Sequence, residues 1–331
     1  MKSLLLSWLS LAALTVAAPG SVKRAGATVT QLNNFRLYAQ WSAAAGCNNE
    51  KAAGQPVTCN LNQCALFDSH NATVVESFIG QIADTRGFVG VDHVDKQIVV
   101  SFRGSASVRN WIADFIFVQV PCSDITAGCL VHTGFLASWA EVKSRVLAAV
   151  ATAKAANPSH KVVVTGHSLG GAIATLATVY LRKAGHAADL YTYGSPRVGN
   201  SAFVKFVTNQ AGGEYRLTHT DDVVPRLPPI ITNFRHVSPE YWFDEGADGE
   251  VSLDEIDYCP GHANLRCNGG TLGLNLAAHG WYFGPLSGCS SGTMPFRGRA
   301  AEISDAELEA KLNMYAELDR QAAANLNAAE S

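Results

Sequence analysis

One pentapeptide, Gly166-His167-Ser168-Leu169-Gly170, places a serine where a strand could turn sharply into a helix. Glycines two before and two after the serine let such a turn close and lift the hydroxyl clear of the sheet. A serine hydroxyl is a weak nucleophile at neutral pH. It attacks an acyl carbon only with a base within hydrogen-bond reach, an acid orienting that base, and donors for the oxyanion. The chemistry implied is acyl transfer through Ser168. The pattern alone decides little, because Gly288-Cys289-Ser290-Ser291-Gly292 fits it too. Only the first copy lies between a valine-rich run (161–165) and an alanine-rich helical stretch, with Gly171 permitting close packing. The second contains a cysteine, lacks both flanks and reads as a loop.

On this kind of turn the acid and then the histidine follow the serine in chain order. Asp221 and Asp222 come directly after a strand-like run, and spacing does not choose between them. Of the later histidines, His279 lies in the apolar Leu276-Ala277-Ala278-His279-Gly280-Trp281-Tyr282-Phe283, suited to a dry site. His236 and His262 read as structural, His262 lying between two cysteines. After Ser105, Val108, Trp111, Ile112 and Phe115 share one helical face and Arg109, Asn110 and Asp114 the other. A short helix of that kind can cover an apolar cleft in water and turn its apolar face to a lipid surface.

These residues need a scaffold, and the hydrophobic periodicity supplies one. Leu32, Phe35, Tyr38, Ala39 and Ser42 recur at helical spacing within 30–45; residues 88–94 and 97–102 read as neighbouring strands; 135–156 reads as a helix stopped by Asn157-Pro158. Strand (161–165), helix (169–184), strand (189–193), helix (202–210) and strand (214–219) then alternate. Such alternation gives a mainly parallel sheet with helices on both faces, the site gathering at the carboxyl ends of the strands. The expected class is therefore α/β, an α/β-hydrolase fold with a short helical lid. Near the end, Ser304-Asp305-Ala306-Glu307 is a capping box, and Leu308, Leu312, Tyr315 and Leu318 continue an amphipathic helix over 305–324.

The first residues, Met1-Lys2-Ser3 and an apolar run from Leu4 to Val16, are too short to span a bilayer and end in Ala17 and Ala18, as a secretory signal does. Lys23-Arg24 is a dibasic pair of the kind a secretory-pathway processing protease cuts, the alternative being an ordinary solvated pair. The expected organisation is a signal peptide over 1–18, a propeptide over 19–24, a hydrolase domain over 25–296, and a tail over 297–331 that is either processed or a surface helix. Loss of residues 1–24 removes Lys2, Lys23 and Arg24 and no acid, so 25 basic and 28 acidic groups become 22 and 28, a formal charge of −6. With no basic cluster, nucleic acid is not an expected partner. With no second apolar run of about 20 residues, neither is a spanning helix. A secreted, extracellular monomer is expected.

Eight cysteines behind a signal peptide imply disulfides. Spacing suggests three local clips, Cys59-Cys64, Cys122-Cys129 and Cys259-Cys267, leaving Cys47-Cys289 to join the ends. Asn71-Ala72-Thr73 is a glycosylation acceptor. No metal or cofactor is expected: there is no Cys-x-x-Cys or His-x-x-x-His, and a calcium-loop pattern from Asp244 to Glu255 has Gly246 where a ligand belongs.

Taken together, Phe102-Arg103-Gly104-Ser105, Asn110-Trp111, the segment 164–171, Tyr193-Gly194-Ser195-Pro196-Arg197-Val198-Gly199-Asn200, His219 through Pro228, and His279-Gly280-Trp281-Tyr282-Phe283 resemble the class 3 lipases of filamentous fungi. The likeness runs in order from about residue 30 to 290 and is nearest in look to secreted Fusarium-type and mono- and diacylglycerol lipases. It implies an acylglycerol substrate at a lipid–water interface. It also implies Asp222 as the acid, His279 as the base, and Ser105 with the backbone of Leu169 as the oxyanion hole. Where that family commonly has asparagine before the acid, this chain has Asp221. The rival readings are an esterase or phospholipase, a feruloyl-esterase-like enzyme, and an inactive secreted binding protein. The complete triad argues against the last, and Trp111 and Phe115 favour acylglycerols over ferulate esters.

Overall fold

Alternate residues of the central strands face opposite ways, and the two apolar layers divide accordingly. Ile98, Val100, Val162 and Val164 belong to one buried cluster and Val99 and Val163 to the other. The structure, a computed structural model, describes residues 26–60, 62–105, 112, 116–244, 250–271, 275–286, 289 and 304–330. Its main sheet has the order β1-β2-β3-β6-β7-β8-β9-β10. The strands are β1 (Thr73–Ile79), β2 (Arg86–Asp92), β3 (Gln97–Phe102), β6 (Lys161–His167), β7 (Ala188–Tyr193), β8 (Glu214–His219), β9 (Glu240–Phe243) and β10 (Ile256–Cys259). The five central strands from β3 to β9 are mutually parallel, and β1, β2 and β10 are antiparallel edges. A separate ribbon pairs β4 (Gln119–Pro121) with β5 (Leu130–His132). This is the expected α/β-hydrolase architecture, with a mainly parallel sheet between helices.

Helix α1 (Val29–Asn48) starts at a capping box between Thr28 and Gln31 and lays Phe35, Tyr38 and Trp41 on one face of the sheet. On the other face lie α2 (Thr133–Ala156) and α3 (Leu169–Lys183), which bury Phe135, Trp139, Ile173 and Leu176 there. Helix α4 (Ser201–Thr208) follows β7, and the single turn α5 (Leu276–His279) is capped by the Asn275 side chain. Strand β2 ends at Asp92, two residues before the expected limit. The Asp92 carboxylate accepts the N–H groups of Val94 and Asp95, closing a side-chain-bonded turn that draws those residues out of the ladder. Strands β1, β9 and β10 were not expected.

The structure joins Cys47 to Cys289, Cys59 to Cys64, Cys122 to Cys129 and Cys259 to Cys267. Helix α6 (Asp305–Glu330) runs beyond the expected 305–324. It is no plain surface helix. Leu308 and Leu312 join the larger core cluster, and Asp319, 2% exposed, pairs with the buried Arg197 at 2.7 Å. Among the described residues no helix is long and apolar enough to cross a membrane.

Candidate active site

Strand β6 delivers Ser168 to the head of the sheet, where it precedes the first residue of α3 at φ +57° and ψ −130°. A non-glycine residue reaches that conformation only under strain, and strain of this kind gathers at functional turns. The surrounding glycines are required by contact. A Cβ on Gly166 would stand 2.3 Å from the Gly170 carbonyl oxygen, and one on Gly170 would stand 2.3 Å from that of Phe102. A Cβ on Gly171 would stand 2.7 Å from that of Ser195. Gly104, two residues past β3, abuts Ser168, where a Cβ on it would meet the serine Cβ at 3.3 Å. Ser105 therefore stands beside the nucleophile position, half-buried. Leu169 opens α3, directly after Ser168, so its N–H has no acceptor within the helix.

Asp222 follows β8 and His279 closes α5, 57 residues later, yet His279 Nδ1 lies 2.8 Å and 3.0 Å from the two carboxylate oxygens of Asp222. Asp221, left open as the alternative acid, offers its backbone carbonyl to the N–H of Asn275, which caps α5. The Asp222 carboxylate also accepts the N–H of Val224 at 2.9 Å and the hydroxyl of Tyr282 at 2.5 Å. Its backbone carbonyl accepts the Asn268 side-chain amide at 2.8 Å. Burial, and then the Asp222 charge, push the Tyr282 phenol well above its ordinary value, so it serves as a donor throughout. His279 is steadied from behind, since the imidazole of His167 meets its carbonyl oxygen at 2.7 Å. Burial, followed by repulsion from His279, drives the pKa of His167 well down, so it is neutral and donates from Nε2.

Ser168 is 1% exposed, His279 2% and Asp222 0%. Ser168 Oγ and His279 Nε2 are both buried and have no hydrogen-bond partner among the described residues. These are the two atoms between which a proton must pass in acyl transfer. Buried polar atoms left unpaired in this way are costly and call for a functional reason. Substrate reaches them only if something over the site moves.

Of the expected cover residues, Val108, Trp111 and Phe115 lie outside the described residues. Ile112 is helical and buried in the same apolar cluster as Leu308, Leu312 and Val223. His236 and His262 are brought to each other, away from Ser168. His236 Nε2 lies 2.6 Å from the Pro225 carbonyl oxygen, and His262 Nδ1 lies 2.9 Å from that of His236. Asn71 is exposed in the loop before β1. Two residues went unnoticed in the sequence. Tyr282 lies three residues after His279, just past the end of α5, and Gly194, at φ +55°, leaves the space beside the Asp222–His279 pair that any side chain would fill.

Residues 99–232 match the family model described as lipase (class 3). The secreted mono- and diacylglycerol lipase 1 of Fusarium solani is 49% identical to this chain over 96% of it and 98% of the relative. This chain belongs to the class 3 lipases. The secreted mono- and diacylglycerol lipase A of Penicillium cyclopium is 38% identical over 87% of the chain and 96% of the relative. Among solved structures, the mono- and diacylglycerol lipase of Aspergillus oryzae superposes with a TM-score of 0.75 at 38% identity, over 79% of this chain and all of that one. Membership makes this lipase a hydrolase of carboxylic esters, as the resemblance implied. The turn at Ser168 and the acid–histidine pair beside it are the parts of the fold suited to that work.

Proposed function

We propose that this lipase is a secreted enzyme releasing fatty acids from acylglycerols through an acyl-enzyme on Ser168. Ser168 Oγ attacks the ester carbonyl carbon while His279 Nε2 takes its proton, and Asp222 holds the imidazole by its Nδ1–H. The oxyanion is bound by Leu169 N–H and Ser105, then collapses, and the glycerol oxygen leaves with the proton from His279. Water, deprotonated by the same imidazole, releases the fatty acid. The observation that carries this reading is the buried Asp222–His279 pair at 2.8 Å beside a strained serine.

Opening of a lid bearing Val108, Trp111, Ile112 and Phe115 would admit the substrate. Two features support this: the closure over Ser168, and the exposed apolar Ile116 and Val118 just after that segment. The reading includes export after removal of 1–18 and 19–24, a monomeric catalytic domain over 25–296 braced by the four disulfides, a tail over 297–331 docked on it through α6, and glycan at Asn71. Ser168→Ala abolishes hydrolysis of tributyrin and monoolein with thermal unfolding nearly unchanged, and retained turnover would overturn the assignment. Rates on tributyrin should jump above its solubility limit; simple saturation through that limit argues against the lid. A profile across triolein, monoolein, phosphatidylcholine and methyl ferulate separates acylglycerols from the rival substrates.

A further inference from the structure

A cleft of about 700 Å³ opens between α4 and the loop that follows β10, and it shares no lining residue with the triad. Its walls carry Lys205, Arg235, His262 and Arg266, with Ser201 and Asn264 between them, and no carboxylate. The chain as a whole is acidic, at a formal −3, so this gathering of cations runs against its average charge. Lys205 and Arg266 are exposed and have no acidic partner among the described residues. Arg235 is held in place by two backbone acceptors, the carbonyl oxygens of Ile230 and Phe234, both bonded to Nη1 at 2.8 Å. Its Nε and Nη2 have no partner among the described residues. Asp319, whose charge reaches Arg235, is already engaged with Arg197.

His262 reports the imbalance. Its Nδ1 is turned to the His236 carbonyl oxygen, and its pKa is lowered by burial and then by the positive charges of Lys205, Arg216 and Arg235, against the upward pull of that carbonyl. Concave surfaces with unbalanced charge of one sign concentrate counter-ions, and a guanidinium with free N–H groups suits the paired oxygens of a phosphoryl group. The volume exceeds that of a single phosphate and suits a headgroup or a short polyphosphate.

We propose that this cleft is a binding site for multivalent phosphate oxyanions, separate from the catalytic site, with Lys205, Arg235 and Arg266 as its charged ligands. The phosphoryl group could come from a phospholipid headgroup or from free phosphate in solution, and the experiment below distinguishes them. Binding of inorganic pyrophosphate to the full chain is measured by calorimetry at constant ionic strength, beside Lys205→Gln/Arg266→Gln. Both residues are exposed and outside the triad, so short-chain ester turnover should be unchanged. The expected result is saturable binding near one per chain, weakened about a hundredfold in the double variant, roughly tenfold for each cation removed. A parallel arm floats Ser168→Ala, with and without the double substitution, on phosphatidylcholine vesicles with and without phosphatidic acid. Adsorption that needs both phosphatidic acid and the two cations, and that pyrophosphate displaces, assigns the headgroup; pyrophosphate binding without such adsorption assigns free phosphate. The proposal is overturned if pyrophosphate binding is equal in the two proteins or does not saturate.

Discussion

Replacing Gly194 by alanine tests whether the Asp222–His279 pair works through its geometry. The new Cβ would stand 2.8 Å from Asp222 Oδ2, 2.9 Å from His279 Nδ1 and 3.0 Å from His279 Cε1. Ordinary contact at these atoms begins near 3.4 Å, so about half an ångström must be found somewhere. The carboxylate has none to give. It is fully buried, and the Tyr282 hydroxyl and the Val224 N–H hold it. The imidazole is 2% exposed, so the hydrogen bond that fixes its tautomer must stretch or bend. Loss of the orienting carboxylate from a serine triad costs about 10⁴ in kcat, and a misplacement of about 1 Å costs about 10². Gly194→Ala should therefore lose between about 10² and 10⁴ in kcat.

Backbone strain has to be separated from this effect, because Gly194 sits at φ +55° and a side chain there costs roughly 1–2 kcal/mol. Gly185 provides the control. At φ +91° it carries comparable strain, but a Cβ there meets nothing within 4 Å. Both variants should unfold a few degrees lower than the parent, and only Gly194→Ala should lose turnover. The assay is kcat on p-nitrophenyl butyrate below its solubility limit, where no interface forms, with fluorophosphonate labelling to count competent serines. A Gly194→Ala enzyme within threefold of the parent, or a Gly185→Ala enzyme equally impaired, refutes the reasoning.

Acid should weaken the fold through His167 and His236. His236 is buried and His167 partly so, and desolvation sets the pKa of each well below 6.5, with His279 acting next on His167 and Arg216 on His236. Below about pH 6.5 the unfolded chain binds a proton at each that the native state refuses. The stability they allow is thus present above that pH and is lost as pH falls, by about 1.4 kcal/mol per pH unit for each histidine. Urea unfolding between pH 7 and 5.5 should show this slope and a shallower one in His236→Gln; parallel slopes would contradict it. Asp319→Ala should cost about 3–5 kcal/mol, because Arg197, otherwise bonded to the carbonyl oxygens of Arg226 and Pro228, keeps a buried charge without its counter-charge. The measurements are the urea midpoint and tryptic release of the tail; an unshifted midpoint with the tail still protected would show that α6 is not anchored there.

What could be read from the sequence was what local pattern encodes. The runs 97–102 and 214–219 match β3 and β8 to the residue, because alternating or continuous apolar side chains end there at turn formers. The capping box at Ser304 and Glu307 is made as expected, each backbone N–H bonded to the other's side chain. Strand β1 escaped because its register slips between Val74 and Glu76, a bulge that breaks the period of two. Strands β9 and β10 are four residues each and pair across an intervening segment of polar residues. Patterns so short carry no usable period.

The site divides along the same line. The strained turn at Ser168, the proposed nucleophile, could be found because such a turn needs glycines at fixed offsets, and a requirement at fixed offset is written in the chain. The Asp222–His279 bond spans 57 residues and the Tyr282–Asp222 bond 60, so no spacing records them, and the choice between Asp221 and Asp222 stayed open until a family resemblance was added. Gly194 shows why such positions are easily passed over. Its function lies in an absent side chain, and the atoms that require the absence belong to residues 28 and 85 positions further on. Asp319 is the converse: helical spacing puts this carboxylate on the same face as Leu308, Leu312 and Tyr315, where an apolar residue is expected, and Arg197, brought up by the loop after β7, lies opposite and pairs with it. Each of these residues becomes legible once the parallel sheet has set β6, β7 and β8 side by side, since that order brings the ends of three separate strands to one place.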